Sequence, residues 1–216
     1  MPDLNFTIDG AEAVPYSAAP LLALKLGIKN SNPKESIRAI MLQSQIQIEA
    51  TRRHYASGEQ AGLLDLFGTP DRWSQTLRST LWTHAHANVG PFSSETTVDL
   101  PVPCTFDFNI AATKYFNALE GGEVPICLLF SGTVFYDDVT RGLQIAQIPW
   151  SKEARYRLPV EVWKKVMDLY YPNTAWLALR RDVFDRLHEF KMLCGLPTWE
   201  QAMERLLAQA DEKVLT

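Results

Sequence analysis

The sequence predicts an α+β fold: an antiparallel β-sheet, single or folded into two layers, covered by helices from the C-terminal part of the chain. Residues 97–108 alternate polar and apolar side chains, the pattern of a strand with one buried and one solvated face. The run Ile126–Phe130 is apolar on both faces, which is typical of a strand in the middle of a core. After Pro159 the apolar residues recur at helical spacing, so this last part is predicted to be helical.

The composition is that of an ordinary globular protein, with 216 residues of which 46% are hydrophobic and 21% charged. A net charge of −4 argues against a general polyanion-binding surface, so nucleic acid is not the expected partner. The three cysteines form no CxxC pair and two of them lie in apolar runs, which predicts buried, reduced thiols. The N-terminus lacks the features of a signal peptide and no apolar run approaches the roughly 20 residues of a membrane span, so we expect a cytoplasmic protein.

Three strands are predicted before residue 50. The first covers Leu4–Ile8 and ends at Asp9-Gly10, and the second covers Leu22–Ile28. The third covers Ile40–Glu49 and places three glutamines on its outward face: Gln43, Gln45 and Gln47. Because only the turn at residues 30–33 separates the second strand from the third, we expect these two to pair as an antiparallel hairpin.

The segment from about residue 52 to residue 79 is predicted to be a helical insertion. Ser57 can cap a helix that ends at Gly68, and a turn or short helix begins at Thr69. A strand follows over Leu81–Val89. Its alternation assigns one face to three large polar or aromatic side chains: Trp82, His84 and His86.

The central stretch, residues 95–136, is predicted to be a strand, a helix and a second strand. Asn109 can cap a helix from Ile110 to about Glu120. Gly121-Gly122 ends that helix, and at least one of these glycines should have a positive φ so that the chain can turn back. The inward set of the first strand should face the second strand within one core: Cys104, Phe106 and Phe108.

Three amphipathic helices are predicted after Pro159. The first ends at Pro172, the second runs from Val183 to Leu193 before Gly195, and the third begins at a capping box over residues 198–201. The chain therefore divides into a mainly antiparallel β core over residues 1–158, with the insertion at about 52–79, and a helical part over residues 159–216 packed on the same core.

Two histidines offer the one arrangement that suits a metal. His84 and His86 lie two residues apart on a predicted strand, hence on one face, where two imidazoles can share a cation. A zinc site needs three or four ligands, and no convincing third ligand is near, although Cys104 and His54 are conceivable. Exposed polar residues on a strand face are therefore the favoured interpretation, with an enzyme or metal-binding protein using the pair as an alternative.

No other group of residues indicates a specific catalytic or ligand-binding activity. Asp137 and Asp138 follow a strand, and Asp99 and Asp107 lie on an outward strand face, where solvated carboxylates are the favoured interpretation over acid–base work. The segment 131–133 lacks the glycine spacing of a nucleophile elbow, and no glycine-rich phosphate loop is present. The sequence therefore predicts no catalytic residue, no metal and no cofactor.

The tail formed by residues 176–207 has a strand–helix–helix order similar to that of ribbon-helix-helix DNA binders. Positive charge is available there from four residues: Arg180, Arg181, Arg186 and Lys191. A DNA-binding regulator is thus a second alternative. A helical cap packed on the sheet is favoured, because Trp176 and Leu177 are poor base readers and the chain is acidic overall.

Taken whole, the chain resembles a family of uncharacterised bacterial proteins encoded near uptake [NiFe]-hydrogenase genes. The resemblance covers nearly the full length and rests on five segments: Asp65–Gly68, Leu81–His84, Val98–Cys104, Phe130–Tyr136 and Pro197–Trp199. That family has no assigned catalytic residues, so the resemblance implies only an operon context and an accessory role.

A weaker, fold-level similarity links the chain to the bacterial export chaperone SecB. It matches a sheet-forming hairpin at residues 21–50 and the helix, glycine and proline segment within residues 104–136. Residues 51–80 would be an insertion and residues 137–216 have no counterpart. Fold similarity does not establish function.

These observations favour a non-enzymatic assembly or chaperone-like factor that binds a protein client, with hydrogenase subunits as the client that the operon resemblance implies. The reasons are the lack of a recognisable group of catalytic residues, an outward strand face rich in Gln and Thr, and the many aromatic residues. A homo-oligomer is compatible with this sequence.

Overall fold

A computed structural model describes residues 2–105, 110–138, 140–174, 177 and 179–214. These ranges contain eight strands: β1 (Leu4–Ala13), β2 (Leu21–Asn30), β3 (Ser36–Ile48), β4 (Thr80–Val89), β5 (Glu95–Pro103), β6 (Glu123–Asp138), β7 (Gly142–Gln147) and β8 (Glu153–Pro159). They contain seven α-helices: α1 (Ser57–Gly62), α2 (Leu64–Phe67), α3 (Trp73–Thr76), α4 (Ile110–Asn117), α5 (Val160–Tyr170), α6 (Arg181–Leu193) and α7 (Trp199–Val214). The predicted roles of Phe106, Asp107, Phe108 and Asn109 fall outside the described residues.

The strands form two antiparallel sheets. The small sheet has the order β1-β2-β5, and the large sheet has the order β4-β3-β6-β7 with β8 also paired to β6. The ring of Phe6 on β1 stacks on that of Phe130 on β6 with centroids 4.3 Å apart, so the two sheets bury their inner faces against each other. The predicted α+β class is confirmed, and the arrangement is the two-layered one.

β6 is the central strand of the large sheet. β3 pairs along one of its edges, while β8 and β7 pair in succession along the other. This explains why Ile126 and Leu128 are completely buried in a run that is apolar on both faces. β8 was not predicted, although Ala154, Tyr156 and Leu158 alternate there with charged residues and carry the signal of a half-buried strand.

The predicted hairpin of the second and third strands is wrong. β2 pairs with β1 and β5, whereas β3 pairs with β4 and β6, so the two strands belong to different sheets. The reason lies at Asn30, whose buried amide donates hydrogen bonds to the carbonyls of Asn32, Glu35 and Ser93. These bonds shape a connection that crosses between layers. The hairpin was also the first element of the SecB-like match, which therefore loses its basis here.

Two bulges change the predicted strand faces. β1 continues to Ala13 because a register shift between Ile8 and Gly10 absorbs the Asp9-Gly10 pair that was predicted to end it. In β4 a register shift lies where Ile46 and Gln47 face Thr83 and Leu81. Trp82 consequently turns into the core at 3% exposure, and the prediction that it shares the outward face with the histidines is wrong.

Helices α4 and α5 contribute aromatic side chains to the core of the β-rich part. Phe116 on α4 is fully buried, with ring centroids 5.1 Å from Trp82 and 5.0 Å from Trp163 on α5. Ala56, not Ser57, occupies the N-cap of α1. The predicted positive φ after α4 is confirmed at Gly122, where it is 75°.

The chain separates into two compact units, residues 1–172 and 173–216, while the predicted division at residues 158 and 159 stays a prediction. In the first unit α5 packs on β1, β2 and β8. The second unit contains α6 and α7, the predicted second and third amphipathic helices, and Gly195 between them has a φ of 63°. None of the described helices is long and apolar enough to cross a membrane.

Candidate functional site

His84 and His86 lie on the outward face of β4 and are both exposed. Their cross-strand partners on β3 are Gln45 and Gln43, so the pair stands on a polar sheet surface. Among the residues that the structure describes, no group of three or more His, Cys, Asp and Glu side chains is arranged to hold a metal ion. Neither His54 nor Cys104 joins the pair in such a group.

The carboxylates considered for acid–base work have structural partners. Asp137 accepts a hydrogen bond from Arg38 Nε at 2.5 Å, and Asp99 lies 2.8 Å from Lys25 Nζ. The pKa of Asp138 is lowered by hydrogen bonds from the Thr140 hydroxyl, the Thr140 N–H and the Arg141 N–H. This carboxylate therefore caps the turn between β6 and β7.

The cysteines occupy three different environments. Cys104 is buried, and loss of solvation raises the pKa of its thiol to about 12. Burial is also the main cause that raises the pKa of Cys127, whereas Cys194 is half-buried in the second unit. The predicted burial is confirmed for Cys104 and Cys127, while their reduced state stays a prediction.

A buried ion pair that sequence reasoning missed anchors α1 to the end of α4. Arg53 Nη2 lies 2.5 Å from Glu59 Oε1, and the two side chains are only 10% and 5% exposed. The same carboxylate accepts hydrogen bonds from the N–H groups of Glu120 and Ala56, and Arg53 also donates to the Gly121 carbonyl. Arg53 and Glu59 are only six residues apart, but the backbone groups that complete their hydrogen bonding, at Glu120 and Gly121, lie more than 60 residues further along the chain, so no local pattern predicts this cluster.

Two tyrosines form a second set of buried hydrogen bonds next to the Arg53–Glu59 pair. The hydroxyls of Tyr55 and Tyr115 are 2.8 Å apart, and Tyr55 donates to the Ala50 carbonyl at 2.7 Å. Burial is the main cause that raises the pKa of both phenols, so they stay neutral at physiological pH. Both carboxylate oxygens of Glu59 are hydrogen-bonded, so this cluster holds α1 against the end of α4.

In the second unit α6 and α7 form a helical hairpin. Trp199 at the start of α7 packs on Phe184 and His188, with ring centroids 5.3 and 6.0 Å away, and Lys191 lies over its ring. Thr198 Oγ1 accepts a hydrogen bond from the Gln201 N–H, which confirms the cap predicted for this helix. Together these contacts join the first turn of α7 to one face of α6.

Most apolar side chains of the hairpin remain outside any core. No residue of α6 is buried, and the one buried side chain among the described residues of α7 is that of Ala202. Four apolar residues line an open groove of roughly 330 Å³, together with Arg186: Val183, Leu187, Phe190 and Leu206. We call these four residues the hairpin groove. Further exposed apolar side chains lie on the same two helices: Met192, Leu193 and Leu207.

Two of the four basic residues considered for DNA contacts, Arg180 and Arg181, are engaged in ion pairs. Arg180 lies 2.8 Å from Asp182, and Arg181 lies 3.1 Å from Asp185 on the same helix. Each positive charge is thus offset by a neighbouring carboxylate. The strand predicted for residues 176–179 falls partly outside the described residues, and Leu177 and Leu179 belong to no strand.

A family model matches residues 1–215, nearly the full length of the chain. The chain belongs to the family of unknown function DUF6084. No curated protein matches it. The resemblance to an uncharacterised family is confirmed at that level, and the genomic context near hydrogenase genes stays a prediction.

Two solved structures show remote likeness. The solution structure of a protein described as late embryogenesis abundant (LEA) is 15% identical, with 74% of this chain and 73% of that chain covered and a TM-score of 0.31. β-Glucosidase 3B from Thermotoga neapolitana, in complex with α-D-glucose, is 12% identical, with 72% of this chain and 17% of that chain covered and a TM-score of 0.25. Likenesses at these scores carry no argument about function.

Proposed function

We propose that this protein is a non-catalytic accessory factor of the chaperone or assembly type, which binds a protein client through the hairpin groove. The observation that supports it is the exposure of apolar side chains on α6 and α7. Leu206 in the groove is 36% exposed, and the adjacent Leu207 is 65% exposed. Contiguous apolar surface of this kind costs solubility unless a binding partner covers it.

The groove suits an amphipathic segment of a client. Its lining residues recur at helical spacing along α6, with Leu206 of α7 forming the opposite wall. Two helices that present such a channel can accept a third helix, whose apolar residues fill the channel at positions i, i+3, i+4 and i+7. Arg186, which also lines the groove, can pair with an acidic residue flanking that segment.

Hydrogenase subunits are the client that the sequence resemblance supports. The family that the chain resembles is encoded near uptake [NiFe]-hydrogenase genes, and an accessory factor in such an operon acts on the products of its neighbours. The proposal includes the cytoplasmic location that the sequence predicts.

The test is co-purification of the tagged full-length protein with co-expressed hydrogenase subunits. We expect the native chain to retain a subunit and the double variant Leu187→Asp, Leu206→Asp to lose it, because two carboxylates in the groove would have to be desolvated. Leu81→Asp is the matched control, since Leu81 is 48% exposed on β4 in the other unit.

Two results would contradict the proposal. One is equal retention of the subunit by the native chain and the groove variant. The other is a deletion strain in which hydrogenase assembly and activity are normal. A control variant that also loses the subunit would show that the effect does not come from the groove.

A further inference from the structure

β7 is an edge strand whose outer side is free among the described residues. Its backbone pairs with β6 alone, over residues 133–138 of that strand. The side chain of Gln144 donates to the carbonyls of Leu143 and Arg141, which satisfies two acceptors at the start of the strand. A strand with one unpaired edge offers a row of N–H and C=O groups to another strand.

β7 lacks the features that normally block such pairing. Its sequence, Gly-Leu-Gln-Ile-Ala-Gln, contains no charged residue, no histidine and no proline. The other edge positions are protected: β1 carries Asp9 and Glu12, β5 carries charges and two prolines, and β8 carries three charges and a proline. β4 has its two histidines and lies against β5.

An apolar stripe continues from β7 across the outward face of the large sheet. Leu143 and Ile145 are 62% and 64% exposed, and Met41 on β3 is 59% exposed. Ile145 pairs with the half-buried Phe135 of β6, which joins β7 to the middle of the sheet. We call these four residues the β7 stripe. A partner strand beside β7 would extend the sheet and cover the end of this stripe.

We propose that the partner is a second copy of this chain, joined through antiparallel β7–β7 pairing with Leu143 of each copy opposite Ile145 of the other. A twofold axis perpendicular to the sheet keeps the outward faces of both copies on one side. The register that centres on Gln144 then matches apolar side chains with apolar ones and glutamine with glutamine.

Charge explains why a copy of the same strand fits. Twofold pairing places each central residue beside its own equivalent, so a charged residue there would meet a like charge. β7 has none. Registers shifted by two residues would leave either Leu143 opposite Gln147 or Ile145 opposite Arg141, and each shift loses one of the two apolar matches. Pairing six-residue strands covers a small area, so the dimer should form at micromolar rather than nanomolar concentration.

The test uses the full-length protein in sedimentation velocity over a wide concentration range. We expect the native chain to pass from monomer to dimer, and Ile145→Lys and Leu143→Glu each to weaken the dimer at least tenfold. An equimolar mixture of the two variants should recover it, because one lysine–glutamate contact and one Leu143–Ile145 contact then form across the axis. Leu81→Lys, on the opposite edge strand, should leave the dimer unchanged.

Several results would overturn the proposal. A native chain that stays monomeric at about 100 µM excludes the dimer. Dimerisation that survives both β7 variants places the interface elsewhere, and failure of the mixture to recover the dimer excludes this register. Circular dichroism and thermal melting of each variant check that the substitutions leave the fold intact.

Discussion

Phe116 and Phe184 show how differently the two units of this protein use the same residue type. Phe116 on α4 is fully buried between Trp82 and Trp163. Phe184 on α6 touches Trp199 but remains 41% exposed. The first unit therefore stabilises itself by apolar burial, whereas the second keeps apolar surface that its own two helices cannot cover.

The same contrast appears in the polar groups. In the first unit Arg53 and Glu59 are removed from water and hydrogen-bonded on several sides. In the second unit the ion pair of Arg181 and Asp185 joins neighbouring turns of one exposed helix. Buried pairs are costly to break and exposed pairs are not, so substitutions should have large effects in one region and small effects in the other.

The largest effect should come from Phe116→Ala. Removing a buried aromatic ring leaves a cavity, and we expect a loss of about 3–5 kcal/mol in the free energy of unfolding. Phe184→Ala should cost about 1 kcal/mol or less, because the ring is already partly in water. Urea unfolding followed by circular dichroism measures both. Equal losses would show that the hairpin has a core of its own.

Glu59→Gln should cost about 3 kcal/mol, since the guanidinium of Arg53 would remain buried without its counter-charge. The matched control is Asp65→Asn, which breaks an exposed pair with Lys114 at 3.3 Å and should cost less than about 1 kcal/mol. Chemical unfolding of the two variants compares them directly. If Glu59→Gln lost no more stability than the control, the buried pair would not be what anchors α1.

Gly132→Ala should lower the free energy of unfolding of the first unit by about 2 kcal/mol. Gly132 has a φ of 139°, where side chains are strained, and an added Cβ would collide with the carbonyl oxygen of Met41 on the neighbouring strand. Gly142→Ala is the control, because its φ is also positive, at 70°, but its Cβ would meet open space. The melting temperature of Gly132→Ala should be lower than that of the control. The reverse order would contradict the close approach of β3 to β6.

Alkaline pH should weaken the first unit through Cys104. Its folded-state pKa is about 12 against an ordinary value of 9.0, so the folded state favours the neutral thiol. The resulting stability is fully present below pH 9 and is lost as the pH rises toward 12. By pH 10 the loss should be on the order of 1 kcal/mol. Cys104→Ala should show a flatter dependence of unfolding free energy on pH, and an identical dependence would rule out this cause.

The smallest effect should come from Asp185→Asn in the hairpin. An i,i+4 pair on an exposed helix contributes less than about 0.5 kcal/mol. The variant should also keep its response to salt close to that of the native chain. Unfolding measured at low and high ionic strength provides the comparison, and a loss above about 1 kcal/mol would indicate that Asp185 has a partner beyond its own helix.

Local sequence patterns were sufficient to predict a helix or strand wherever the interactions that form it are close in sequence. Alternation identified β2, where Leu22, Leu24 and Leu26 are fully buried, because a strand turns successive side chains to opposite faces. The cap at Thr198 and the stop at Gly195 were equally visible, since a helix end is decided by the residues next to it. The amphipathic character of α6 was predicted, but not that its apolar side would stay open.

Tertiary structure alone decided the strand partners and the burial of the Arg53–Glu59 pair, which Glu120 and Gly121 complete from a distant segment. β2 and β3 look like hairpin neighbours along the chain, yet the Asn30 amide stabilises a connection between two sheets. Likewise Trp82 enters the core because β3 and β4 lose register at one point. A periodic pattern tells which side of a strand is apolar, but strand partners depend on the packing of distant segments around one core, which no local pattern contains.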